Sequence, residues 1–352
     1  AARSESSYGA HLGVNPDNEW MFRNVLTGVS VLSPTDVWTI GNRGTGSGDY
    51  RPFVRHFDGG GWTTVGDIDL PGDEYPTSIF ASFDDDVWVT QSEPGTSAPL
   101  VQHWDGTSWR QQDIAGIGSD TRLFQVWAGS PTEVWAVGTA FEGSKRHPLI
   151  EHYDGTHWEE TPTPDLDAGV LFGVRGTSRS DVWAVGYYGQ QGRQALMLHW
   201  DGVSWRAKGR FGQPGSAWFE GVDVVSPTDA WAVGRFDPQD GSTRGLLMHW
   251  NGKHWSDAYT EAFHDFQNVF GVVAIAADDA WVVGQNWDDR ARSAHWDGRA
   301  WKLVPVRNPG SQDNALFAVS ADATDDVWAV GGFWNDTPHR MTQHWNGTAW
   351  SR

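Results

Sequence analysis

The sequence predicts an all-β fold of seven similar four-stranded blades, and three observations predict it. An Asp-Val-Trp-like triplet recurs seven times, carrying Trp38, Trp88, Trp135, Trp183, Trp231, Trp281 and Trp328. After each triplet comes a His-Trp-Asp-Gly-x-x-Trp-like stretch, beginning at His56, His103, His152, His199, His249, His295 and His344. These stretches close on Trp62, Trp109, Trp158, Trp205, Trp255, Trp301 and Trp350. Both motifs repeat every 46 to 50 residues, a period that marks a repeat architecture. Between them lie short apolar runs bounded by turn residues, which read as strands. What seven copies share is architecture, so function is expected where one copy departs from its siblings.

The fourth copy shows the elements in order. Leu171 to Gly176 is a short apolar run, and Ser178-Arg179-Ser180-Asp181 is a turn. Val182-Trp183-Ala184-Val185-Gly186 is a second run, stopped by glycine. A variable polar stretch follows, then Ala195 to Trp200, an Asp201-Gly202 turn, and a last strand from Trp205. Aromatic and β-branched residues suit a pleated, buried surface. The first turn is often Ser-Pro-Thr-Asp, as at Ser33 to Asp36 and Ser226 to Asp229, where proline fixes φ for a type I turn. Asp-Gly or Asn-Gly closes every second motif, from Asp58-Gly59 to Asn346-Gly347, and is a hairpin signal because these residues tolerate positive φ.

Four antiparallel strands repeated seven times make a seven-bladed β-propeller, in which stacking into a ring covers both faces of every sheet. A buried Trp removes about 150–250 Å² from water. At ~25 cal/mol/Å² that is roughly 4–6 kcal/mol each as an upper bound, so the fourteen motif Trp are expected to hold the blades together. The two tight turns of each blade must fall on one side of the disc. The two variable loops fall on the other, where function is expected.

The motifs tile from about residue 25 to the last of the 352 residues, which predicts a single propeller over 20–352 after an N-terminal extension, 1–19. That extension could pair with blade seven, whose outer strand is short. Twenty-five Lys and Arg face 45 Asp and Glu, a formal charge of −20. Nucleic acid and anionic membrane are thereby disfavoured, since phosphate binding needs a basic footprint. Neutral or cationic ligands are favoured, and no apolar run approaches the ~18 residues of a membrane span. The chain has no cysteine, which excludes disulfides and thiolate metal sites. Its opening, Ala-Ala-Arg-Ser-Glu-Ser, fits a mature terminus left by signal cleavage, so an exported, extracellular protein is expected over a cytoplasmic one. Oligomeric state is left open.

The pattern resembles the kelch repeat, with a second strand ending in glycine, as in Val327-Trp328-Ala329-Val330-Gly331-Gly332, then an aromatic-Asp turn and a Trp. It is most similar to the tryptophan-rich repeat proteins exported by actinobacteria, in which DVWAVG and HWDGxxW recur. The resemblance covers essentially the whole chain and implies the propeller fold; propellers host many unrelated activities. A galactose-oxidase-like copper site would need a cysteine, and the Asp-Gly-x-x-Trp turn resembles the sialidase Asp-box without a matching arginine triad or Tyr/Glu pair.

Several candidate sites follow. The seven motif His lie one per blade, too dispersed to share an ion, and are read as bonded to backbone or to the Asp before each motif Trp; no metal or cofactor is expected. Five Trp stand outside both motifs. Trp20, Trp218, Trp287 and Trp334 map to the variable face as a platform for stacking sugar rings or a small aromatic molecule, or as caps of their own blades. Trp127 belongs to an inner strand. Aligned on the motif Trp, one inner-strand position reads Thr27, Thr77, Phe124, Phe172, Glu220, Phe270 and Phe317. Glu220 is the outlier near the axial mouth. Burial would raise its pKa and suit it to acid–base work; the alternative is a water-bonded or Arg-paired channel carboxylate. Three residues on, Arg175 and Asp223 fall on adjacent blades and are expected to pair.

His264 and Asp265 are candidates for an oriented His, or are simply adjacent loop residues. Arg122 is a candidate rim contact. Together these predict a recognition propeller for neutral glycans or small aromatic ligands. The rivals are an enzyme using Glu220, with His264, in a condensation, cyclisation or lyase-type reaction, as strictosidine-synthase-like propellers would suggest, and a protein-docking scaffold.

Overall fold

The computed structural model describes residues 24–44, 50–65, 75–92, 100–114, 121–143, 145–166, 168–189, 192–211 and 215–351. It is a propeller of seven sheets, each with four strands paired in chain order. Blade one comprises Leu26–Ser33, Asp36–Gly44, Tyr50–Phe57 and Trp62–Thr64. Blade five comprises Gly215–Ser226, Asp229–Pro238, Arg244–Trp250 and Trp255–Asp257. The extension 1–19 and Trp20 lie outside the described residues.

The motif Trp hold the ring as expected. Trp183 of blade four meets Trp255 of blade five edge-on, with ring centroids 5.1 Å apart, and Trp231 meets Trp301 of blade six at the same distance. Trp328 of blade seven meets Trp62 of blade one at 5.7 Å, so the last blade closes on the first by the contact used elsewhere. Each motif His stacks on its own blade's Trp, centroids 4.1 to 4.4 Å apart. Each also bonds through Nε2 to the acidic residue two before that Trp, at 2.7 to 3.0 Å. The seven His are therefore structural.

Both tight turns of a blade sit on one side of the disc and touch. A Cβ on Gly59 would fall 2.7 Å from the Thr35 side chain, and one on Gly252 would fall 2.8 Å from Thr228. Glycine alone takes positive φ in the Asp-Gly turn, +83° at Gly59, while Asp58 Oδ1 accepts the N–H groups of Gly60 and Gly61. The Asp caps the loop and the Gly turns it.

One feature of the second strand positions the axis. The glycine ending the Val-Trp-Ala-Val-Gly run lies against the inner strand, and a Cβ on Gly234 would sit 2.1 Å from the Trp218 carbonyl oxygen. Directly beyond it every inner strand slips register by one residue, a β-bulge. The bulged residues are Thr27, Thr77, Phe124, Phe172, Glu220, Phe270 and Phe317. Bulges re-aim side chains, and these seven all line the axis.

Candidate functional site

The axial cavity measures ≈ 220 Å³ and is walled by the inner strands of all seven blades. For scale, an apolar cavity of about 150 Å³ accepts benzene. The space therefore suits one substituted ring. Its aromatic walls are mostly phenylalanines, with Tyr75: Phe124 and Phe172 meet edge-on at 5.2 Å, and Phe270 and Phe317 at 5.5 Å. Thr27 and Thr77 spend their hydroxyls on the next blade, donating to the Pro76 and Leu123 carbonyls. Glu220 is the carboxyl at this level.

Glu220 is only 8% exposed, and its Oε1 accepts the indole N–H of Trp218 at 2.6 Å. Burial pushes its pKa up to about 8, against the opposing pull of the Trp218 hydrogen bond and the Arg193 and Arg235 charges. At neutral pH the group is a neutral acid that can donate as well as accept. Deeper in the cavity, Arg175 and Asp223 form the expected ion pair, Nε to Oδ1 at 2.8 Å. Asp223 Oδ2 also accepts the Ala274 N–H, so one carboxylate joins blades four, five and six. The Arg175 guanidinium lies 5.0 Å from the Phe80 ring centroid. Paired Arg175 and neutral Glu220 leave the described cavity wall without net charge.

Among the described residues, the off-motif Trp do not form the cavity wall. Trp218 is 4% exposed, behind Glu220, with the Arg193 and Arg235 guanidinium groups 5.2 and 5.4 Å from its ring centroid. It is not an open stacking surface; it fixes the carboxyl. Arg235 is itself held by Asp237 at 2.8 Å. Trp287 is 53% exposed on the loop after the second strand of blade six, a loop pinned by Asn286 Oδ1 accepting the Asp288 and Arg290 N–H groups. Trp334 is half-buried at the end of the second strand of blade seven, paired with Pro338.

His264 and Asp265 end a 3₁₀ turn, Glu261–Asp265, and neither lines the axial cavity. His264 is exposed beside Tyr259, while Asp265 pairs with Arg292 and accepts from Asn286 Nδ2. Phe263 and Phe266 anchor the turn in the blade core. Arg122 begins the inner strand of blade three, half-buried, with its backbone opposite Thr139. The structure thus joins Glu220 and Trp218, and separates both from His264, Asp265 and Trp287. Reasoning from the sequence missed Arg193 as part of the Glu220 environment. Among the described residues no cluster of three or more His, Asp or Glu could hold a metal ion, and no helix is long and apolar enough to cross a membrane.

No protein-family model matches the sequence, and no curated protein matches it either. Solved structures do resemble it in three dimensions. The BP39L lectin from Burkholderia pseudomallei aligns with TM-score 0.60 and 13% identity, over 94% of this chain and 98% of that one. YCF48 bound to a D1 peptide aligns with TM-score 0.59 and 12% identity, over 92% of each chain. The fucose-specific lectin from Aleuria aurantia aligns with TM-score 0.50 and 14% identity, over 95% of each. At such identities the likeness shows the fold alone: this chain is a seven-bladed β-propeller with lectin and peptide-bound structures among its neighbours.

Proposed function

We propose that the protein is an exported recognition propeller that holds one small neutral ring-bearing molecule, a neutral sugar or a small aromatic compound, at the axial mouth of its variable-loop face. The observation that carries this reading is Glu220, a neutral carboxyl held by Trp218 at the one bulge position where its siblings have Phe or Thr. Phenylalanine edges and faces supply contact area for a ring, and the carboxyl supplies orientation. A wall without net charge favours an uncharged ligand. Lectins among the structural neighbours are consistent with the sugar option.

Calorimetric titration of neutral monosaccharides and single-ring aromatics tests it. A ligand of the cavity should bind Glu220→Gln within a few-fold of wild type, because Gln keeps a neutral donor and acceptor. Glu220→Leu or Phe172→Ala should weaken it about tenfold or more. Equal affinity in all three variants would remove the cavity as the site. The raised pKa of Glu220 also suits a general acid or base. If wild type turns a bound compound over and Glu220→Gln binds it without turnover, the enzyme reading replaces the recognition one.

A further inference from the structure

Carboxylates outnumber basic residues in this chain 45 to 25. Several arginines are held by them: Arg175 by Asp223, Arg235 by Asp237, Arg244 by Asp257 and Arg206 by Asp201. At the junction of blades one and seven, Arg43, Arg55 and Arg340 depart from this pattern. Arg43 and Arg51 are direct cross-strand partners in blade one. Strand alternation puts Arg51, Phe53 and Arg55 on one face, which Arg43 shares through its pairing with Arg51. That face looks at blade seven, because Phe53 packs with Trp328 and Val330.

From the third strand of blade seven, Arg340 faces back. Its guanidinium lies 5.0 Å from the Phe53 ring centroid, and that of Arg43 lies 5.4 Å from the same centroid. Arg55 is held in place, donating from Nη2 to the Trp62 carbonyl at 3.0 Å and lying 5.6 Å from the Trp62 ring centroid. Burial and the facing Arg55 and Arg43 hold Arg340 below the usual arginine range, and burial with Arg43 does the same to Arg55. Like charges directly opposite on a sheet are destabilising. Among the described residues no carboxylate pairs with Arg43, Arg55 or Arg340, although the chain has a large excess of carboxylates. The fold gathers these cations, against their repulsion, on a template of two aromatic rings.

We propose that Arg43, Arg55 and Arg340 form a binding site for a tetrahedral oxyanion, a sulfate or phosphate monoester group, at the junction of blades one and seven. Guanidinium forks match tetrahedral oxyanions, and their charge persists at every physiological pH. Three neighbouring cations, Arg43 and Arg340 exposed and Arg55 half-buried, suit a dianion better than a single carboxylate. The overall charge of −20 repels polyanions at long range, so affinity rests on this local cluster.

Calorimetry on the full chain with sodium sulfate, sodium phosphate, a sulfated monosaccharide and a sugar phosphate tests the site, with sodium chloride at matched ionic strength as reference. Saturable one-to-one binding is expected. Arg43→Gln and Arg340→Gln should each lower affinity about tenfold, and the double variant should abolish it. Arg206→Gln, on a distant outer strand, and Glu220→Gln, in the axial cavity, should leave it unchanged. Preference between the sulfate and phosphate arms identifies the source of the group. Heats no larger than those of chloride, or wild-type affinity in the double variant, would overturn the proposal. So would binding that emerges only after Glu5, Asp17 and Glu19 are neutralised, since the chain would then supply its own counter-charge.

Discussion

At the bulge position of the inner strands six blades place Thr or Phe, and blade five places a carboxyl that ionises only near pH 8. A glutamate in an unfolded chain ionises near 4.3. Below about pH 4 both states are protonated, and the buried acid carries no penalty. As pH rises the unfolded chain ionises first, so native stability falls until pH passes 8 and is level thereafter. At 1.36 kcal/mol per pKa unit the limit is on the order of 5 kcal/mol. Glu220→Gln removes this dependence while keeping an acceptor for the Trp218 indole. Urea denaturation should find the variant and wild type equal at pH 4, and the variant more stable by as much as a few kcal/mol at pH 8. Glu151, which burial also pushes up to about 8, is present in both proteins and cancels. A difference that does not vary with pH would mean that Glu220 ionises normally, and the uncharged-wall reading would fall with it.

The element that presents Glu220 is a pair of strands, not a residue. Gly234 lets the second strand approach the backbone of Trp218 and Phe219, and the inner strand bulges immediately beyond them. In Gly234→Ala the new methyl would stand 2.1 Å from the Trp218 carbonyl oxygen and 2.7 Å from the Phe219 Cα, both backbone atoms that cannot swing aside. The expected cost is about 3 kcal/mol, with cavity binding weakened in the protein that remains folded. Gly61→Ala is the control, since nothing lies within 4 Å of its Cβ position, and it should change stability by less than about 0.5 kcal/mol. Denaturation midpoints and ligand titration on both variants check this. The same element shows what the sequence made legible. Aligning the repeats identified Glu220, Arg175 and Asp223, because register is inherited from one copy to the next. It did not reveal that position 220 is a bulge, which is a property of strand pairing. Nor did it reveal that Trp218 is covered, because one covering group, Arg193, comes from the neighbouring blade. An aromatic residue outside a repeat is visible in sequence; the side chain that shields it is not.

Over the whole molecule, the decisive property is closure. In an open array of repeats the terminal units contact one neighbour each, and their loss costs less than loss of an internal interface. Here the blade seven to blade one contact repeats the internal ones: Trp328 meets Trp62 edge-on and lies 5.5 Å from Phe57, as Trp183 meets Trp255 and lies 5.1 Å from Trp250. The closing junction differs in having Phe57 where the other has Trp250, and so has somewhat less area to lose. Removing a buried Trp costs about 3–5 kcal/mol. If the ring is closed in energy as well as in shape, Trp328→Ala and Trp183→Ala should lose similar stability, within about 1 kcal/mol, and each should unfold in a single calorimetric transition. An open or weakly latched ring would behave differently, with Trp328→Ala nearly silent or releasing the end blades in a separate, earlier transition. That outcome would also loosen the arginine cluster between blades one and seven and open the axial cavity, which the inner strands of all seven blades wall, so ligand binding there should weaken with it.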